Sequence, residues 1–376
     1  MGRSELRRSA LSENATLIHP STFYINGFYN IPHTKYFYAF LCIVYAVTFL
    51  GNSFIMCTIY LARSLHTAKY IAVFNLALSD LGGSSALIPK LIDTFLFENQ
   101  VISYGACLAN MFFVLFFMTA QSLTLLVMAY DRVVAICFPL RYNVIVTKAA
   151  MTLIIVITWI FSITIIALLV ALITRLSFCR SIIINSYFCD HGPILILACN
   201  DKFINSVMAK VCFVVLDCVP LLLIIVSYIC IGIALLNISH GLERRKAMKT
   251  CTSHLILVAL FYLPFLGTNI TSFTSSINGN DRIINSTLTQ IIPPMLNPII
   301  YTLKTEEVMH AVRVLYKRAK VVVISGMPNV TQPWTVICQR GREKNSELKF
   351  NLPTKSSSAI KFDIIIVGLL VLAVIV

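Results

Sequence analysis

The sequence predicts an all-α membrane protein: a bundle of seven transmembrane helices followed by a short amphipathic helix. Three observations carry this. First, 58% of the 376 residues are hydrophobic and only 12% are charged, whereas a soluble domain carries about 25% charged residues. That excludes an ordinary soluble protein and a disordered one. Second, seven apolar segments approach or exceed the roughly 20 residues needed to cross a bilayer. Third, lysine and arginine fall unevenly on the loops between those segments.

The spans are residues 36–62, 69–91, 104–130, 149–174, 203–236, 250–273 and 283–303. Most are uncharged. The second contains Asp80, and the fifth carries Lys210 near its start and Asp217 within it. Strand alternation is absent from the spans, so helices rather than a barrel must satisfy the backbone in lipid. No cleavable signal pattern is visible in residues 1–35, so the first span is expected to act as an uncleaved signal-anchor.

Charge sets the orientation. The loops after spans one, three and five, counted with Lys69 at the edge of span two, hold nine Lys/Arg, those after spans two, four and six hold four, and the tail after Leu303 holds eleven. The basic side is expected in the cytoplasm and the N-terminus outside, in the plasma membrane. Asn14-Ala15-Thr16 is a glycosylation acceptor and fits an external terminus. The expected organisation is an extracellular N-terminus over 1–35, a seven-transmembrane bundle over 36–303, an amphipathic membrane-surface helix over 304–318 and a cytoplasmic, disordered tail over 319–376. In the amphipathic segment, Val308, Val312 and Leu315 oppose Lys304, Arg313, Lys317 and Arg318, a pattern suited to the inner membrane face. Residues 364–376 are apolar but too short to span comfortably. They read either as foreign to the mature protein, the favoured reading, or as a membrane-dipping end.

Polar residues inside lipid are costly and mark function. Asp80 sits mid-span, with Asn52 in span one and Asn297 in span seven as natural partners; together they could hold a water or an ion, or simply fix helix register. Asp131-Arg132 ends span three on the basic side, where a guanidinium can reach a neighbouring helix or a partner's carbonyls, or merely snorkel to the interface. Pro220, Pro264 and Pro298 each remove a backbone donor and mark helix kinks. Four cysteines lie on the outer side: Cys107, Cys179, Cys189 and Cys199. An oxidising exterior favours pairing, and four cysteines allow three connectivities. Cys42, Cys57, Cys212 and Cys230, within spans, read as small core hydrophobes.

Several motifs now combine. They are Gly51-Asn52, Leu65-His66-Thr67, Met128-Ala129-Tyr130-Asp131-Arg132-Val133-Val134-Ala135-Ile136-Cys137, Ser227-Tyr228, Lys246-Ala247-Met248-Lys249-Thr250-Cys251-Thr252-Ser253-His254, and Pro294-Met295-Leu296-Asn297-Pro298-Ile299-Ile300-Tyr301. On these the chain resembles the vertebrate odorant receptors, rhodopsin-like G protein-coupled receptors, over about residues 20–318. The resemblance implies disulfides Cys107–Cys189 and Cys179–Cys199. It implies coupling to a heterotrimeric G protein of the stimulatory, olfactory type, raising cyclic AMP. Asp131, Arg132, Tyr228, Lys246, His254, Asn297, Pro298 and Tyr301 would form the coupling and switch region, with no cofactor or metal. Gln121 stands where such receptors often carry a glutamate, which argues against a sodium site at Asp80.

A small, mostly apolar odorant needs a concave apolar site with a few placed polar groups. In this fold it is expected between spans three, five, six and seven toward the outer side. Helical spacing selects Leu115, Met118, Thr119 and Ser122; Phe213, Leu216 and Asp217; Tyr262, Phe265, Leu266 and Asn269; and Thr287 and Gln290. Any one apolar residue among them reads equally as bundle core. Asp217 has three readings: counter-ion for a cationic odorant, partner of Lys210, or a protonated acid bonded to its neighbours. The two structural readings are favoured. A transporter would need relay charges in several spans, an intramembrane enzyme a metal or nucleophile constellation, and nucleic-acid binding a folded basic module. The sequence displays none of these.

Overall fold

The computed structural model describes residues 18–27, 34–97, 99–179, 181–237, 241–273 and 279–325. Asn14 and residues 326–376, with their apolar end, lie outside the described residues. Eight long helices follow in order: α1 (Thr34–Leu61), α2 (Ala68–Leu96), α3 (Tyr104–Cys137), α4 (Lys148–Ala171), α5 (Phe203–Leu236), α6 (Gly241–Phe273), α7 (Gly279–Lys304) and α8 (Glu306–Ser325). Six of them, α1 to α6, contain stretches long and apolar enough to cross a membrane by length and composition. α7 is the seventh rod and packs against α1, α2 and α6. Asn285, Ser286, Thr287, Thr289 and Gln290 dilute the hydropathy of its first half. Following the charge asymmetry, the end carrying the N-terminus is termed outer.

Local signals start two of the helices. Ser103 caps α3 by accepting from the Ala106 amide, and Thr147 caps α4 by accepting from the Ala150 amide; each fills one of the four orphan donors of a helix start. Close helix approach needs small residues. A Cβ on Gly51 would lie 2.8 Å from the Pro298 ring, and one on Gly82 would meet the Phe117 ring at 2.3 Å. α1 therefore seats against α7 at Gly51, and α2 against α3 at Gly82.

Proline leaves a signature in two helices. A proline lacks the N–H that would bind the carbonyl four residues earlier. Pro298 frees the carbonyl of Pro294, and the Asn52 side-chain amide donates to it at 3.0 Å. Pro220 frees the carbonyl of Leu216, and Ser122 Oγ donates to it at 2.8 Å. Pro220 also follows a π-helical turn, Val214–Cys218, a local widening common at functional sites. The carbonyls freed by proline in spans five and seven thus have side-chain partners from neighbouring helices.

The outer end departs from the sequence expectation. The N-terminal segment contains a strand, β1 (Thr22–Ile25), paired antiparallel with β2 (Val101–Ser103) and parallel with β3 (Ile183–Ile184). Phe23 and Ile25 alternate inward and are fully buried. The remaining correction is at the inner end. The amphipathic helix begins at Glu306, not at 304, and runs through 319–325, which had been assigned to the tail. Val321, Val322, Val323 and Ile324 continue its apolar character. Val308, Ala311 and Val312 pack into the inner core with Ile59, Ala62 and Leu65.

Candidate functional site

The outer half of the bundle encloses a cavity of about 630 Å³. Of the residues selected from sequence, Leu115, Met118, Thr119, Phe213, Leu216, Asp217, Phe265 and Gln290 line it. Ser122 and Tyr262 do not. They lie beside it, fully buried, with the two hydroxyls 2.8 Å apart. Because Ser122 spends its only hydrogen on the Leu216 carbonyl, Tyr262 must donate to Ser122. The result is a three-helix chain: Tyr262 of α6 to Ser122 of α3 to the carbonyl of Leu216 of α5. Thr287 is buried, but its hydroxyl turns back to the Ile283 carbonyl of its own helix at 2.8 Å. Leu266 is half-buried and away from the lining. The Asn269 side chain lies outside the described residues.

Sequence reasoning missed the roof of the cavity. Asn185, Ser186, Tyr187, Asp190 and His191, from the segment between α4 and α5, line it together with Ile283, Ser286 and Thr289 of α7. The structure joins Cys107 to Cys189 and Cys179 to Cys199. The first bond ties this segment to the outer end of α3. Asn110 reinforces it, accepting from the Cys189 amide at 3.3 Å and donating to the Ala86 carbonyl at 2.9 Å. Tyr187 donates to the Ser286 carbonyl at 3.2 Å. Cys189 itself was the available signal, since a loop bonded to α3 must lie across the mouth. A short helix, His191–Leu197, follows. Burial pulls the His191 imidazole down to a pKa of about 4, so the ring is neutral near pH 7.

Deeper in the bundle lies the polar centre. Asn297 donates to one oxygen of Asp80 at 2.7 Å, and Gln121 donates to the other at 3.0 Å. All three are buried. Asn52 is not a partner of Asp80; it serves the Thr48 and Pro294 carbonyls instead. A small cavity of about 30 Å³ lies against Gln121 and shares Met118, Phe265, Thr289 and Gln290 with the larger one. The outer cavity and the polar centre therefore have walls in common.

At the inner end, Arg132 pairs with its neighbour Asp131 at 2.9 Å, and Tyr142 donates to the second Asp131 oxygen at 2.8 Å. Asp131 is buried. Burial, then the Asp131 charge, raise the Tyr142 phenol well above its usual range, so it stays a donor. Beside Arg132 is a cavity of about 270 Å³, lined also by Met128, His254, Leu257 and Tyr301. His254 bridges three helices. Its Nε2 meets the Leu125 carbonyl of α3 at 3.1 Å, and its Nδ1 meets the Tyr228 hydroxyl of α5 at 2.6 Å. A carbonyl only accepts, so Nε2 carries the hydrogen and Tyr228 donates to Nδ1. Tyr301 donates to Met128 Sδ at 3.4 Å. Pro298 sits in α7 against Gly51. The Lys246 side chain lies outside the described residues.

Two acidic residues in the first turn of α8 escaped the sequence reading. Glu307 accepts from Lys69 and Tyr70 of α2, and Glu306 accepts from Lys249 of α6. Acidic residues belong at a helix start, where the macrodipole is positive; that signal was present in Glu306-Glu307. Among the described residues no group of three or more His, Cys, Asp or Glu is arranged to hold a metal ion.

Comparison with known proteins agrees with this arrangement. A sequence profile described as "Olfactory receptor" matches residues 41–318. The chain is 35% identical over 289 residues to olfactory receptor 1E16 of Mus musculus, covering 77% of this chain and 92% of that one. It is 37% identical over 299 residues to olfactory receptor 2A12 of Homo sapiens, covering 78% and 94%. Its fold matches the crystal structure of squid rhodopsin with a TM-score of 0.65 at 14% identity, over 83% of this chain and 94% of that one. That last likeness speaks for the seven-helix fold alone. The chain belongs to the olfactory receptor family of rhodopsin-like G protein-coupled receptors: a multi-pass membrane protein and a receptor, not an enzyme, with a small-molecule ligand and a G protein partner.

Proposed function

We propose that this receptor binds small, mostly apolar odorants in the cavity of about 630 Å³ and activates a stimulatory, olfactory-type G protein, raising cyclic AMP. The N-terminus faces the exterior of the plasma membrane, Asn14 carries a glycan, and α8 with the tail after it lies in the cytoplasm. The observation that carries the reading is the Tyr262–Ser122–Leu216 chain beside the cavity. It joins α6, α3 and α5 at the level where a ligand would press on Thr119, Leu216 and Phe265. A ligand shifts a conformational equilibrium only through different affinity for the two arrangements. A cavity wall whose helices are joined by hydrogen bonds beside a π-helical turn supplies such a difference. α6 then swings from α3, the Tyr228–His254–Leu125 bridge breaks, and the cleft beside Arg132 opens to a helix of the G protein. Lys246 and the basic stretch around it would meet the G protein or anionic lipid.

A cyclic-AMP reporter with a panel of odorants tests this. A dose-dependent rise is expected, and it should vanish in cells lacking the stimulatory α-subunits. Leu115→Trp should narrow the cavity of about 630 Å³, displace ligand from its wall contacts and raise the effective concentration of agonists about tenfold, as loss of the ligand's own buried apolar contacts predicts. Responses that persist without a stimulatory α-subunit would refute the coupling. Responses indifferent to Leu115→Trp would refute the site.

A further inference from the structure

We infer that the outer cavity selects cationic ligands, primary or secondary amines with an apolar body, through the carboxylate of Asp217. This rests on the cavity being the ligand site, and it reverses the preference that sequence alone supported.

The structure removes the two structural readings of Asp217. Lys210 makes no ion pair with it, and among the described residues its carboxylate has no hydrogen-bond or ion-pair partner. Yet it is half-buried and lines the cavity. Its position follows from the backbone. Asp217 lies in the π-helical turn Val214–Cys218 that precedes Pro220, and this turn contributes Leu216 and Asp217 to the wall.

An acid placed so needs a donor, and the cavity does not supply a cationic one. The chain carries a formal charge of +14, but no described lining residue is a lysine or an arginine. The titratable side chains among them are Tyr187, Asp190, His191, Cys212 and Asp217. His191 adds an independent sign of a ligand. The residue is 6% exposed, it lines the same cavity, and its Nε2 is buried without a hydrogen-bond partner among the described residues. A buried polar atom left unpaired costs free energy that a ligand group can return. An ammonium group has no acceptor and up to three donors, so it matches a carboxylate and a neutral imidazole. A carboxylic acid would meet Asp217 with like charge. The apolar part of the lining, which includes Leu115, Met118, Ile166, Leu169, Phe213 and Phe265, suits a hydrocarbon body.

The test pairs amines with neutral molecules of the same skeleton: hexylamine against 1-hexanol, cyclohexylamine against cyclohexanol, and 2-phenylethylamine against 2-phenylethanol. Each is applied to full-length receptor with the cyclic-AMP reporter, and surface level is read from an N-terminal tag. The wild-type receptor should respond to amines at lower concentration than to the matched alcohols. Asp217→Asn should raise the effective concentration of amines by about 10- to 100-fold, the range for losing a charged hydrogen bond. It should leave the alcohols within about threefold, and Asp217→Glu should restore part of the amine response. Alcohols equal to or better than amines in the wild type would overturn the inference whether or not any variant folds. An unchanged amine response in Asp217→Asn would also overturn it. If Leu115→Trp still blunts all agonists in that case, the cavity stands and only the amine preference falls. If Leu115→Trp changes nothing, the cavity falls with it.

Discussion

Arg132→Ala will reduce agonist-driven G protein activation about tenfold or more while leaving the protein at the membrane. The side chain is mostly buried, and its mapped partner, Asp131, also accepts from Tyr142. Removing the guanidinium therefore leaves Asp131 with one remaining bond and costs some stability. The larger loss is functional. A guanidinium offers five donors in a fixed fork, and each charge-assisted bond to the terminal carbonyls of an inserted helix contributes about 1.5–3 kcal/mol. Nucleotide exchange on a purified stimulatory heterotrimer, normalised to surface receptor, measures the effect. Arg132→Lys should recover only part, because an ammonium cannot reproduce the fork. Exchange at wild-type rate in Arg132→Ala would exclude this role for the residue.

Cys107→Ser will be the most damaging substitution for folding. The bond to Cys189 spans a sequence separation of 82, and closing so long a loop stabilises by about 4 kcal/mol in the chain-entropy picture. Both cysteines are fully buried in the outer core cluster that also holds Met111, Ile173 and Ile194. Losing the bond releases the roof of the cavity, including Asp190 and His191, and leaves Asn110 with a mobile partner. Surface-tag counts should fall several-fold, and detergent-solubilised receptor should unfold at lower temperature. The Cys179–Cys199 bond closes a shorter span, a sequence separation of 20, so Cys179→Ser should cost less. Equal surface levels for Cys107→Ser and wild type would contradict this account of the roof.

How far the sequence could be read depends on which physical signal each feature leaves. The spans were legible because lipid demands apolar helices: a helix lies over each of the seven segments, and six of them are long and apolar enough to cross a membrane. The bond partners of Asp80 were half legible. Asn297 is its partner, but Asn52 answers a carbonyl freed by Pro298. That a proline four residues on exposes a carbonyl is readable from sequence; which neighbouring helix answers it is not. Burial was least legible. A helix that is apolar all round does not declare its inner face, so Cys42, Cys57 and Cys230, read as core, are exposed on the bundle surface, and only Cys212 of that group is buried. For the same reason helical spacing could not separate the cavity lining, such as Leu115 and Phe265, from Ser122, Tyr262 and Thr287 behind it. The roof and β1 were missed because short loops and a four-residue strand leave little periodic pattern.

The account turns on α6 moving away from α3 when a ligand occupies the outer cavity. The direct measurement is a distance between labels at Met248 of α6 and Leu140 beyond α3, both exposed. The labels are introduced as non-natural residues because the chain has 12 cysteines. Pulsed dipolar spectroscopy on purified receptor, with the strongest agonist of the panel and a nucleotide-free stimulatory heterotrimer, should show the distribution lengthening by about 5 Å or more, the scale of a one-turn displacement. A distribution unchanged between free receptor and the ternary complex would contradict it.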